Sequence, residues 1–345
     1  MATRASELYE KGRQRIRRSG PLGAWAYKTL LSDGMRRERQ AVTAGQKEFT
    51  RRGNHSAQAY RLRRAVHMLE KGLTMRPLRS TFAVDYIERA VHDFIDLQDA
   101  GTEFGTKELE WAGEVLRRYF AATSESQNEA IGRARTQFVN LAETLSESLL
   151  GPAVPLPSAS VLDVSALETL ARQRQSVRWF TSEPVPRETV DKALEIAAEA
   201  PTACNRQPYR FHVFDDPALA RKVAAIPMGT AGYADSIGSI VVLVGDMSAF
   251  ADDRDRHLVY IDGCLAAMSF ILGLEAQGVS TCCINWPDLA DRERAMAQAL
   301  GLQRWERPIM LIAYGYADDT GLAPYSQKKP LNAVRVYNQG AGDVR

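Results

Sequence analysis

Three short runs in the second half of the chain concentrate side chains able to grip an anion or the edge of a heterocycle. They are Arg174-Gln175-Ser176-Val177-Arg178, Asn205-Arg206-Gln207-Pro208 and Lys328-Lys329-Pro330-Leu331. Two groups of cations with a serine hydroxyl suit a phosphate, because hydrogen bonds to an ionised group are shorter and stronger than neutral ones. An asparagine on a loop stiffened by Pro201 and Pro208 suits the amide edge of a heterocycle. Taken singly, each run is as well explained by a solvated polar face. Other catalytic signatures are missing: the chain has no GxSxG, no HExxH, no Walker A sequence and no GxGxxG after a strand. Five scattered histidines make no ligand pair, and four cysteines lack CxxC spacing, so neither a metal site nor a disulfide framework is expected. Cys282 and Cys283 end a strand-like run and should face opposite sides. With Cys204 they are read as small buried hydrophobes rather than redox thiols.

A fourth constellation lies far upstream. Arg63, His67 and Lys71 recur every four residues in RRAVHMLEKGL, which puts three potential cations on one helical stripe. Such a stripe could bind an anionic substrate group at the mouth of a site; alternatively its charges pair locally. It sits in a basic block, since residues 1–79 hold 19 Lys/Arg against 6 Asp/Glu, while residues 80–150 hold 6 against 13. The formal net charge is only +2. The basic block can meet an anionic partner or pair with its acidic neighbour. Nucleic acid is not the expected partner, because the cations are not interleaved with aromatic residues along an extended track.

The elements that must position these residues fall into two parts. Over residues 1–150 the periodicity is helical: Leu62, Val66, Leu69 and Leu73 share a face, as do Ile87, Val91 and Phe94, then Ile131, Ala134, Phe138, Leu141 and Leu145. Pro152, Pro155 and Pro157 make 151–163 a stiff linker. From 164 to 345 short apolar strands alternate with helices. Ser165 with Glu168 predicts a capping box opening a helix to about Arg174. A second helix is expected over about 187–199, strands at 209–214, 239–244, 279–284 and 308–314, and a long apolar helix at 257–277. Without a strict βαβ repeat, the fold class is α+β, a mixed or antiparallel sheet flanked by helices and preceded by an all-helical module. At 45% hydrophobic residues the chain is of globular composition. The absence of an apolar leader and of an uninterrupted run of roughly 20 apolar residues predicts a cytoplasmic protein without a membrane span.

In order and spacing, RQRQSVRWF, APTACNRQPYRF, CCINW and KKPLNAV resemble the motifs of the nitroreductase superfamily of FMN-dependent flavoproteins. The resemblance covers about 164–336. It implies FMN as cofactor, its phosphate held by Arg174, Ser176 and Lys328 with Lys329 beside it, and Gln175 at the ribityl chain or ring edge. Arg178 then lies near the pyrimidine side of the flavin. Pro201, Thr202, Ala203 and Asn205 match a flavin-contacting loop that often reaches across a dimer interface. Cys283, Ile284 and Asn285 match a segment whose backbone covers the ring and offers an N–H toward N5. Arg178 and Asn285 are the implied catalytic positions, and Trp286, with Arg63, His67 and Lys71, would face substrate. Asn285 and Trp286 stand where bacterial nitroreductases carry Glu-Gly, and Tyr209 replaces a usual Trp, so substrate choice departs from theirs. The implied activity is ping-pong hydride transfer in a homodimer, with FMN at the interface. NAD(P)H would be the donor, and a nitroaromatic, quinone or activated alkene the small-molecule acceptor. The alternatives are a biosynthetic dehydrogenase returning electrons to oxygen, or a non-catalytic flavin- or anion-binding module.

Overall fold

The computed structural model describes residues 18–51, 53–100, 105–142 and 163–338, with 12, 15 and 16. The proline-rich stretch 151–162 and Leu145 lie outside them. Helices come first: α1 (Pro21–Ala26), α2 (Asp33–Thr50), α3 (His55–Leu73), α4 (Ile87–Asp99), α5 (Thr106–Ala122) and α6 (Glu129–Ala142). Asparagine starts α3 in the usual way, the Asn54 side chain accepting from the Ala57 N–H. The apolar stripes of α3–α6 converge on one core built from Leu62, Val66, Leu69, Phe94, Leu116, Tyr119 and Phe138. Arg61 of α3 and Asp93 of α4 form a two-pronged ion pair (3.0 and 2.8 Å) at the edge of this core.

The second part contains α7 (Val164–Gln173), α8 (Arg187–Ala198), β1 (Tyr209–Phe214), α9 (Pro217–Ala224), β2 (Ser239–Asp246), α10 (Leu258–Glu275), β3 (Ser280–Asn285), α11 (Ala290–Leu300) and β4 (Glu306–Gly315). The four strands form one sheet in the order β1-β2-β4-β3, every pair antiparallel. Central β2 is buried on both faces, which explains its unbroken apolar sequence. One face of the sheet packs on α8 and α10 through Val241, Leu243, Phe270 and Ile312. The other packs against α9 and the 233–237 turn through Ile240, Val242, Leu311 and Ala313. Gly263 allows α10 to approach closely: a Cβ there would sit 2.5 Å from Ile309 Cδ1.

One expectation needs correction. Helix α7 is capped by Asp163, whose carboxylate accepts from the Ser165 N–H, so the cap lies two residues before the predicted serine. The segment Asp253–Glu275 is long and apolar enough, by length and composition, to cross a membrane. Half of it is buried, however, against the sheet and α8. Its other side leaves Ile261, Leu265 and Met268 exposed.

The helices that precede the sheet are seated on it by specific contacts. Ala41 and Gly45 of α2 are buried against the 247–249 turn after β2, and a Cβ on Gly45 would fall 2.5 Å from the Met247 carbonyl oxygen. Tyr260 donates to Glu38 (2.9 Å), Arg37 pairs with Asp288 (2.8 Å), and Tyr60 donates to Asp246 (3.1 Å) at the end of β2. Burial pushes the Asp246 carboxyl above its ordinary value.

Candidate functional site

The 174–178 run lies beside β3, the edge strand of the sheet. Ser176 forms a parallel bridge with Thr281, and the Val177 N–H donates to the Thr281 carbonyl (3.0 Å). Arg174 ends α7 just before this bridge, and Arg178 follows it by two residues. Arg174 is close enough to Cys283 and Glu275 for its charge to oppose the rise that burial causes in both acids. Arg178 lies over the Tyr233 ring (5.8 Å to the centroid) and donates to the Ser176 carbonyl (3.3 Å). The Ser236 hydroxyl holds the Arg178 carbonyl at 2.7 Å.

Along β3 itself Cys282 and Ile284 are buried while Cys283 and Asn285 are open, so two of the three residues matched to the ring-covering segment look out of the sheet and the third, Ile284, points into the core. The vicinal cysteines thus face opposite ways. Although its residue surface is open, desolvation by neighbouring groups raises the Cys283 thiol. Trp286 departs from the open position imagined for it: it is 9% exposed, packed with Met296 and Ile284, and its indole N–H donates to Glu293 (2.5 Å). Lys328 and Lys329 stand exposed on an extended segment after β4, which also leaves Leu322, Tyr325, Leu331 and Tyr337 open.

The 201–208 loop is elsewhere, between α8 and β1. Its backbone is unusual: Cys204, Asn205 and Gln207 all have φ between 51° and 55°, a left-handed region that costs a residue with a Cβ about 1 kcal/mol or more. Four bonds hold it. The Ala203 N–H donates to buried Asp262 of α10 (3.0 Å), and the Gln207 N–H to Thr202 Oγ1 (3.2 Å). The Gln207 amide donates to Asn205 Oδ1 (2.9 Å), and the Asn205 carbonyl accepts from Arg63 Nε (3.0 Å). Pro201 is exposed, Thr202 and Ala203 half-buried. Among the described residues no hydrogen bond, ion pair or ring contact joins this loop to the 174–178 run.

The Arg63 stripe is likewise rearranged relative to expectation. Arg63 is bound to Glu108 and to the loop, and His67 pairs with Glu70 (3.3 Å), leaving Lys71 as the exposed member. An open wall of three cations is not what these residues form. Sequence reasoning missed Asp262 and Tyr233. Asp262 left a signal, as the one charged residue between Leu258 and Leu274 of an otherwise apolar helix; Tyr233 left none.

The model of the nitroreductase family matches residues 171–239 and 230–316. A Thermus thermophilus protein named NADH dehydrogenase is 34% identical over 210 residues, 52% of this chain and 98% of its own length. Human iodotyrosine deiodinase 1 is 24% identical over 195 residues, covering 48% of this chain and 66% of that protein. Among solved structures, an FMN-dependent nitroreductase from Clostridium difficile R20291 has a TM-score of 0.40 at 19% identity, covering 46% of this chain and 91% of that one. The chain belongs to the nitroreductase family. It is an oxidoreductase of the flavin type, carrying a run of helices ahead of the part these relatives share.

Proposed function

We propose that the protein binds FMN and passes hydride from NAD(P)H to a small organic acceptor, a nitroaromatic, quinone or activated alkene, by a ping-pong reaction. The observation that carries the reading is the pairing of Ser176 with Thr281, which brings the run against β3, with Arg174 near open Cys283 and Arg178 beside Tyr233. The donor set fits the cofactor. Arg174, Ser176 and the exposed Lys328, with Lys329, supply charge and a hydroxyl for a phosphate; Gln175, exposed beside them, offers an amide to the ribityl chain or ring edge. When bound, FMN supplies reversible two-electron hydride exchange. Arg178, oriented by the Tyr233 ring and its bond to the Ser176 carbonyl, holds negative charge on the pyrimidine side. The Asn285 backbone, at the exposed end of β3, orients the ring through its N–H.

The 201–205 loop is the second half-site, supplied by a second copy of the chain. Two features support this homodimer: the loop is not joined to the 174–178 run within one chain, and α10 with the 318–338 segment leaves large apolar side chains open. A homodimer buries such faces at little cost in charge.

The test is the visible spectrum of the purified protein under nitrogen before and after NADH or NADPH. Bleaching of the bound flavin by a nicotinamide, and recovery on adding a nitroaromatic or quinone, is expected. Bound flavin that neither nicotinamide reduces would overturn the reductase reading.

A further inference from the structure

The left-handed stretch 203–207 is held from outside as well as by its own bonds, and one outside support comes from a helix that the matched family region does not include. The side-chain oxygen of Asn205 is taken by Gln207, so its backbone carbonyl is turned outward, where the Nε of Arg63 donates to it at 3.0 Å. The Arg63 side chain is only 13% exposed. Its far edge is engaged by Glu108 of α5, and its plane lies 5.7 Å from the Trp111 ring centroid. Trp111 is itself fixed by donating to Glu70 (2.7 Å). The next residue along α3, Leu62, is fully buried in the helical core, as are Val66 and Leu69, so the helix presenting Arg63 cannot slide or turn without opening that core.

A planar guanidinium gripped at one edge and donating at the other is a rigid strut, which an ammonium on a flexible stem cannot imitate. We propose that Arg63 is a positioning residue, through which the helical core of α3–α6 holds the 203–207 loop in the left-handed conformation that presents Asn205. The loop's role in cofactor binding rests on the flavin reading above; the strut itself does not. Arg63 therefore acts on the reaction through the loop, not by meeting substrate charge, because Glu108 already balances it.

The experiment is hydrogen exchange on the full-length protein freed of FMN, comparing wild type, Arg63→Met and Arg63→Lys, with FMN binding measured alongside. In Arg63→Met the amides of 203–207 are expected to exchange about tenfold faster while those of α4 keep their rates. Arg63→Lys should not restore the loop, since charge without the fork is insufficient. FMN binding should weaken about tenfold in both. Unchanged loop exchange, or equal acceleration in the loop and α4, would overturn the proposal by making Arg63 an ordinary part of the helical core. Full restoration by lysine would also overturn it. Should Arg63→Met fail to fold, Glu108→Gln releases only the far edge of the strut; about threefold faster loop exchange is then expected, and none refutes the idea. Faster loop exchange with unaltered FMN affinity would remove the link to the cofactor. A wild-type protein that binds no FMN would sink the flavin reading, while the exchange comparison would still decide the strut.

Discussion

Replacing Gly45 by alanine should unseat α2 from the sheet-bearing part of the molecule. A Cβ there would lie 2.5 Å from the Met247 carbonyl oxygen and 2.6 Å from its carbon, and these are backbone atoms that cannot swing aside. Overpacking of this kind costs about 1–3 kcal/mol. Against it stands the gain of up to about 1 kcal/mol that alanine brings to a helix interior. The net expectation is a loss of up to about 2 kcal/mol. Gly132 in α6 is the internal control, because nothing lies within 4 Å of the Cβ it would acquire. There alanine should stabilise by about 0.5–1 kcal/mol. Urea unfolding followed by circular dichroism should therefore move the two midpoints in opposite directions. If Gly45→Ala stabilises as much as Gly132→Ala, α2 does not rest on the Met247 backbone and the seating described above is wrong.

Three further outcomes are expected. Arg174→Ala with Lys328→Ala should lower FMN affinity more than about a hundredfold, since each lost charge-assisted bond is worth about 1.5–3 kcal/mol; equal FMN retention by dialysis would refute the phosphate assignment. Cys283→Ala should leave reduction of bound flavin by the nicotinamide unchanged; a large loss with FMN still bound would give the thiol a role. Burial raises the Asp246 carboxyl above its ordinary 3.8, so folding takes up a proton between that value and the raised one. Stability from this group is full below the ordinary value and lost as pH rises through the raised one. Asp246→Asn should therefore gain in Tm relative to wild type as pH rises above the ordinary carboxylate range, and a constant difference would show that Asp246 titrates normally.

How much of this was legible in sequence follows from which interactions are local. Strand β1 was bounded correctly, because Tyr209–Phe214 is an apolar run closed by Pro208 on one side and Asp215-Asp216-Pro217 on the other. Helix α10 was plain from its length and small residues. Helices α2 and α11 were not, being rich in charge with narrow apolar faces; α2 buries just Ala41 and Gly45. The Ser165/Glu168 pattern points two residues past the true cap, because Asp163 caps through its own carboxylate without a Glu or Gln three residues on. The spacing of Arg63, His67 and Lys71 places them on one stripe, and His67 meets Glu70 three residues on, but Arg63 meets Glu108 of α5, far along the chain. No local signal carries that. Trp286 next to Asn285 suggested an open aromatic, whereas the strand's alternation turns it inward onto Glu293.

The pairing of Ser176 with Thr281 also dictates an order of assembly. The helical core from Leu62 to Phe138 uses only neighbouring segments, and contacts of short sequence separation form fastest. During synthesis that core is complete before any strand of the sheet has been made. The 174–178 run must then wait for about a hundred more residues before β3 exists to receive it, and Phe180 waits longer still for its bridge to Ala317. Chains released early would thus carry the helical core without β3 to receive the 174–178 run, and on the proposed reading FMN would bind only once the sheet has formed.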